Sequence, residues 1–148
     1  MAWLVKTLLV KTKRFGVLEI EEDQVIIFPE GLPGFPEQRR FVLLDLQQGS
    51  PLKFLQSVDD PDLSFLVAEP LTFFPEYRVL VRPEDLAPIA LDAPERGIVV
   101  AIVSVPSDFK EATVNLKAPV VINPERSLAR QVILEGDYGV QTPLFAAS

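Results

Sequence analysis

Fourteen prolines, spread from Pro29 to Pro143, interrupt this chain at short intervals and leave only brief apolar segments between them. Proline lacks a backbone N–H and fixes φ, so it ends helices and is excluded from central strands. A chain cut this way cannot build long helices, and its regular structure has to come from short strands joined by turns. Leu8 to Thr12 and Val17 to Ile20 have strand character and flank Arg14-Phe15-Gly16, while Glu21-Glu22-Asp23-Gln24 turns the chain into Val25 to Phe28, so the opening reads as a meander. Phe41 to Asp45, Phe54 to Ser57 and Leu63 to Ala68 follow, the last two joined by the carboxylate-rich turn Val58-Asp59-Asp60-Pro61-Asp62. Tyr77 to Val81, Val120 to Ile122 and Val132 to Leu134 add further candidates. Gly97 to Val105, continuously apolar and β-branched, predicts a central strand covered on both faces.

Helix is confined to one or two turns. The clearest is Pro83-Glu84-Asp85-Leu86, with proline early and carboxylates beside the exposed first-turn N–H groups. About nine short strands predict an all-β fold, a small closed or nearly closed antiparallel β-barrel, because closure removes exposed strand edges. With 148 residues and no repeat, linker or low-complexity tract, residues 1–148 are expected to form a single domain.

The chain contains neither cysteine nor histidine, which removes disulfides, thiolate nucleophiles, imidazole bases and the two commonest zinc ligands together. No set of acid, base and nucleophile stands out, so a binding protein is expected and not an enzyme. No metal, nucleotide or flavin cofactor is expected either. Asp59, Asp60 and Asp62 lack the central glycine and distal glutamate of a calcium loop. Gly31 and Gly34 are not followed by the Lys-Ser/Thr of a phosphate loop. A formal net charge of −7 disfavours direct nucleic-acid binding, which needs concentrated cations to neutralise phosphates, and suits a basic protein partner. Met1 to Val5 is too short for a signal-peptide core, and the apolar run Ile98 to Val103 is far below the roughly 20 residues of a membrane helix. A cytoplasmic protein that does not enter membranes is the expectation.

Phe28-Pro29-Glu30-Gly31-Leu32-Pro33-Gly34-Phe35 combines two glycines with two prolines and is stiff. It reads either as a structural corner or as a loop presenting Leu32 and Phe35. Asp59, Asp60 and Asp62 read as a solvated turn or an acidic contact, with Glu19, Glu21 and Glu22 as a second acidic candidate. Thr113 and Asn115 alternate on one strand face, where they either satisfy backbone groups or meet a partner. Gln56 and Ser57 point to opposite faces, so at most one of them faces a partner.

Taken in chain order, Arg14-Phe15-Gly16, Gly31-Leu32-Pro33-Gly34-Phe35, Leu55-Gln56-Ser57, Ala68-Glu69-Pro70 and Thr113-Val114-Asn115-Leu116-Lys117-Ala118-Pro119 resemble the bacterial flagellar assembly factor FliW family. Gln131, Ile133, Leu134 and Tyr138 match its closing segment, so the resemblance runs from about Leu8 to Tyr138. It implies a non-enzymatic β-barrel protein with two partners, flagellin and the RNA-binding regulator CsrA. Members of that family are sequestered by flagellin and, once freed, bind CsrA and relieve its repression of flagellin translation. A dedicated flagellin chaperone without CsrA antagonism is the alternative.

Overall fold

Short strands separated by proline-bearing turns dominate the computed structural model, which describes residues 6–145. The Met1 to Val5 stretch weighed above as a possible leader lies outside the described residues. In chain order the strands are β1 (Thr7–Thr12), β2 (Gly16–Glu21), β3 (Ile26–Ile27), β4 (Arg40–Asp45), β5 (Leu52–Ser57), β6 (Ser64–Ala68), β7 (Ile98–Ser104), β8 (Thr113–Val114), β9 (Val120–Asn123), β10 (Leu128–Gln131) and β11 (Thr142–Pro143). Two single-turn helices, α1 (Pro70–Phe73) and α2 (Pro83–Leu86), and four 3-10 turns complete the described residues.

Seven strands close on themselves in the order β7-β6-β5-β4-β3-β10-β9, with β9 returning to β7. The expected closed barrel is therefore present. Six of its junctions are antiparallel, and the seventh, β3 to β10, is a parallel contact at the single register pair Leu128 and Ile27. That seam joins segments far apart in sequence, so no hairpin dictates its direction.

Period-two alternation fills the interior. Phe41, Leu55, Val67, Val100, Val120, Ile122 and Ala129 pack there with Phe28 and Leu32. Phe28 meets Phe41 edge-on at 5.1 Å. The opposite parity of β7 and β9, with Ala101, Val103 and Val121, faces out and is covered by Tyr77, Leu86, Ile89 and Leu91 from the segment between β6 and β7. β7 is thus buried on both faces, as its continuous apolar sequence predicts. A third cluster, Val10, Ile20, Val25 and Val42, fastens the β1–β2 hairpin to the outside of β4.

Four details depart from the sequence reading. The opening is a hairpin and not a meander, because the 3-10 turn Glu22–Gln24 carries the chain away from β2 and into the barrel at β3. Tyr77 to Val81 is not a strand; its polar groups find scattered partners, with the Tyr77 hydroxyl donating to Leu116 O at 2.7 Å and the Glu135 N–H to Leu80 O at 3.2 Å. Val132 to Leu134 is not a strand either. β10 ends at Gln131 because the next position opposite is Pro119, which accepts from the Val132 N–H at 3.0 Å but has no N–H to return. Finally, α2 forms as expected with Pro83 at its start and Asp85 Oδ2 accepting from the Arg82 N–H, but α1 and the 3-10 turns carry no clear signal in the sequence. No helix is long and apolar enough to cross a membrane among the described residues.

Candidate protein-binding surface

The β5–β6 turn is held from beneath by two buried polar side chains, Gln56 at 1% exposure and Ser57 at 0%. Gln56 Nε2 lies 3.1 Å from the carbonyl oxygens of both Ser57 and Leu63 and also reaches those of Asp60 and Pro61. Ser57 Oγ accepts from the N–H groups of Asp59 and Asp60 and donates to Gln38 Oε1 at 2.8 Å. Asp60 Oδ1 accepts from the Asp62 N–H at 3.0 Å, the local bond that fits aspartate to turns. Both members of the Gln56-Ser57 pair therefore organise the turn that displays the aspartates.

The three aspartates differ in what they present. Asp59 forms a two-pronged pair with Arg40, the last residue before the barrel position opposite Ser57. That hydrogen bond holds the Asp59 carboxyl below the usual carboxylate range against the opposing effect of partial burial, with the Arg40 charge adding to it. Asp60 is half-buried, and Asp62 is exposed beside Lys13, Arg14 and Ser64 at the tip of the β1–β2 hairpin. The turn is accordingly less negative than its sequence suggests. Glu19, Glu21, Glu22 and Asp23 are all exposed and make no ion pair among the described residues, which leaves this edge of the hairpin the more uniform acidic surface.

The Gly31–Phe35 loop closes the same end of the barrel. Leu32 and Phe35 exchange backbone hydrogen bonds around Pro33 and Gly34, and Gly34 has φ +86°, as a Pro-Gly turn requires. Gly31 has φ +67°, and a Cβ there would lie 2.6 Å from Pro36 O. Leu32 is a barrel plug at 2% exposure, whereas Phe35 is 41% exposed and rests edge-on against Phe65 of β6 at 5.6 Å. Gln38, which the sequence reading passed over, ties the two parts together: its N–H donates to Phe35 O at 3.1 Å and its side chain accepts from Ser57. Phe35 and the Asp59–Asp62 turn thus lie at one end of the barrel, joined beneath through Gln38.

Thr113 and Asn115 stand apart from it. They lie at β8, between β7 and β11, and Asn115 Oδ1 accepts from the Ala118 N–H at 3.0 Å to shape the following turn. At the other end of the barrel, Leu43, Lys53, Glu69, Tyr77 and Ile98 line an open groove of about 680 Å³. There Lys53 lies between Asp45 and Glu69, and its hydrogen bond to Asp45 holds its ammonium pKa above the usual value. Among the described residues no three acidic side chains converge to hold a cation.

Comparison with known proteins gives this architecture a class. The family model described as FliW protein matches residues 9–144. A crystal structure of the flagellar assembly factor FliW aligns with a TM-score of 0.86 at 36% identity, covering 94% of this chain and 98% of that one. Two curated relatives carry the same description. That of Natranaerobius thermophilus is 44% identical over 92% of this chain and 91% of its own length. That of Heliobacterium modesticaldum is 41% identical over 94% and 92% respectively. The protein is a closed β-barrel of the flagellar assembly factor type. It belongs to the FliW family.

Proposed function

We propose that this chain is a cytoplasmic, non-catalytic regulator that binds flagellin and, when free of it, binds and antagonises CsrA. Family membership across the whole barrel supports the pair of partners. The observation that carries the switching part of this reading is the link through Gln38, which places the exposed Phe35 ring and the Asp59–Asp62 turn on one barrel end. Two protein partners seated on one such end exclude each other sterically. Phe35 offers an apolar anchor, Asp60 and Asp62 offer carboxylates to a basic partner, and Leu32, Gln56 and Ser57 keep these groups in place. Thr113 and Asn115 are assigned to the support of β8.

The test is a competition measured with purified proteins. Excess flagellin added to a preformed complex with CsrA should release CsrA in proportion. A stable ternary complex overturns the switch, and binding of flagellin without any binding of CsrA leaves a dedicated flagellin chaperone.

A further inference from the structure

The β1–β2 hairpin is a sheet of two strands, and neither strand pairs with a third among the described residues. The Glu22 N–H donates to Lys6 O at 2.8 Å, and Lys6 falls opposite Glu22 in the register that sets Thr7 against Glu21. Bonded pairs alternate along an antiparallel ladder, so Leu8 and Val10 bond across to Ile20 and Leu18. Thr7, Leu9 and Lys11 on β1, and Val17, Glu19 and Glu21 on β2, turn their N–H and C=O groups outward. The same six side chains are all exposed, Val17 at 62%, whereas Ile20, at 8%, packs with Val10 against Val25 and Val42. Two open strand edges thus flank a hairpin that is firmly seated on the barrel.

The two edges differ in charge. Lys11 is the only charged residue of β1, whereas β2 carries Glu19 and Glu21 and no cation. Lys11 stands opposite Val17, on the far strand. At the hairpin tip Arg14 is drawn down over the Phe54 ring of the barrel, 4.5 Å from its centroid, and the Lys13 N–H donates to Pro61 O. Asp23 is no part of the acidic edge, because Ser127 Oγ donates to its carbonyl and brings the neighbouring Arg126 to that end. Thr7 Oγ1 donates to Glu19 Oε1 at 3.1 Å and holds this carboxylate on the outer face. Charges on an edge strand keep two like copies from pairing, and the same glutamates attract a strand that carries lysine or arginine. The Glu21 N–H is taken by Gln24 Oε1 at 3.2 Å, so the open stretch of β2 is centred on Val17 and Glu19.

We propose that β2 accepts an extended basic segment of a protein partner as a third strand of this sheet. The main chain of that segment bonds Val17 and Glu19, and its basic side chains lie on the outer face beside Glu19 and Glu21. Its alternate side chains are apolar and continue the inward row of Leu18 and Ile20. Both the acids of β2 and the net charge of −7 favour a basic occupant over an acidic one. The site goes beyond the barrel-end surface and does not depend on which partners use that end.

Its test uses the full chain and short fluorescent peptides of alternating Val and Lys, with Val and Glu as the control. The Lys peptide should bind saturably, about tenfold or more tighter than the Glu peptide. Residues directly opposite on neighbouring strands share a face, so the lysines that face Glu19 are also the residues whose N–H groups point at β2. N-methylation of the Lys amides should therefore weaken binding about tenfold or more, and N-methylation of the Val amides, which point away, should leave it nearly unchanged. Glu19→Lys should weaken the Lys peptide about tenfold and improve the Glu peptide. Val17→Pro, which removes an outward N–H and no bond of the β1–β2 ladder, should weaken the Lys peptide. Should Val17→Pro loosen the hairpin, Glu19→Lys and the methylated peptides keep the test valid. Equal binding of the two methylated peptides, equal binding of the Lys and Glu peptides, or indifference to Glu19→Lys overturns the proposal. Because neither flagellin nor CsrA is used, these outcomes are separate from failure of the partner-switching reading.

Discussion

The two ends of the barrel are built on different principles. One is closed by the Gly31–Phe35 loop and the β5–β6 turn, where Gln56 and Ser57 bond the backbone of the turn and Leu32 fills the interior. The other opens into a groove lined by Leu43, Tyr77 and Ile98 around Lys53, which is held between two carboxylates. At the closed end, residues that look like a recognition motif are chiefly the means of closing the fold, and the residues on display ride on them. At the open end the surface arises from strands and a crossover that meet only in three dimensions.

This contrast breaks first at Gly31. A methyl group there would lie within 2.8 Å of three backbone atoms of Phe35 and Pro36 at a φ of +67°, and backbone cannot yield as a flexible side chain can. Gly31→Ala should cost about 2 kcal/mol or more, a fall in Tm of roughly 4–8 °C. Gly34→Ala, with φ +86° but nothing within 4 Å of the added atom, should cost clearly less. Equal losses measured by thermal denaturation would show that torsional preference and not crowding shapes the closed end.

Ser57→Ala sharpens the same comparison. It leaves the Asp59 and Asp60 N–H groups without their acceptor and Gln38 without its donor, at a cost of about 1–3 kcal/mol in a site with no exposure. If the two halves of the closed end act as one surface, this variant should weaken both flagellin and CsrA, whereas Phe35→Ala should weaken binding with a small change in Tm. An effect of Ser57→Ala on stability alone would separate the turn from the binding surface.

The open end should be more forgiving. Lys53→Met removes an ammonium whose partners Asp45 and Glu69 remain about half exposed to water, so denaturant unfolding should register about 1 kcal/mol or less. A larger loss would mean that the groove is ordered by this ion triad as firmly as the closed end is by its turns.

Local patterns were legible in the sequence, and non-local ones were not. β4 to β7, the turn at Asp59–Asp62 and helix α2 follow from short apolar runs, proline placement and first-turn carboxylates, all short-range signals. The parallel seam at Ile27 and Leu128 and the end of β10 opposite Pro119 depend on which segments meet, which one chain's pattern does not encode. For the same reason the stretch Gly31 to Phe35 stood out while Gln38, three residues on, did not. Its link to the turn is a hydrogen bond accepted from Ser57, nineteen positions away. Asp59 was readable as an acid but not as half of an ion pair, because Arg40 is brought beside it only where β4 pairs with the end of β5.

That pair supplies the smallest and most specific expectation. The Asp59 carboxyl is held below its unfolded value mainly by the Arg40 hydrogen bond, so its contribution to stability is present above the unfolded pKa, about 3.9, and is lost as pH falls through the lower folded value. Both side chains are about half exposed, which keeps the contribution within the range of about 0–1 kcal/mol found for surface pairs. Asp59→Asn should therefore lower Tm slightly at neutral pH, and the difference from the unsubstituted protein should shrink as the pH is taken down through the acid range. Arg40→Gln should give the same pH dependence, since it removes the other half of one interaction. A Tm difference that persists unchanged at the acid end would mean that Asp59 acts through the shape of the turn and not through its charge, and the closed end would then owe its rigidity to Gln56 and Ser57 alone.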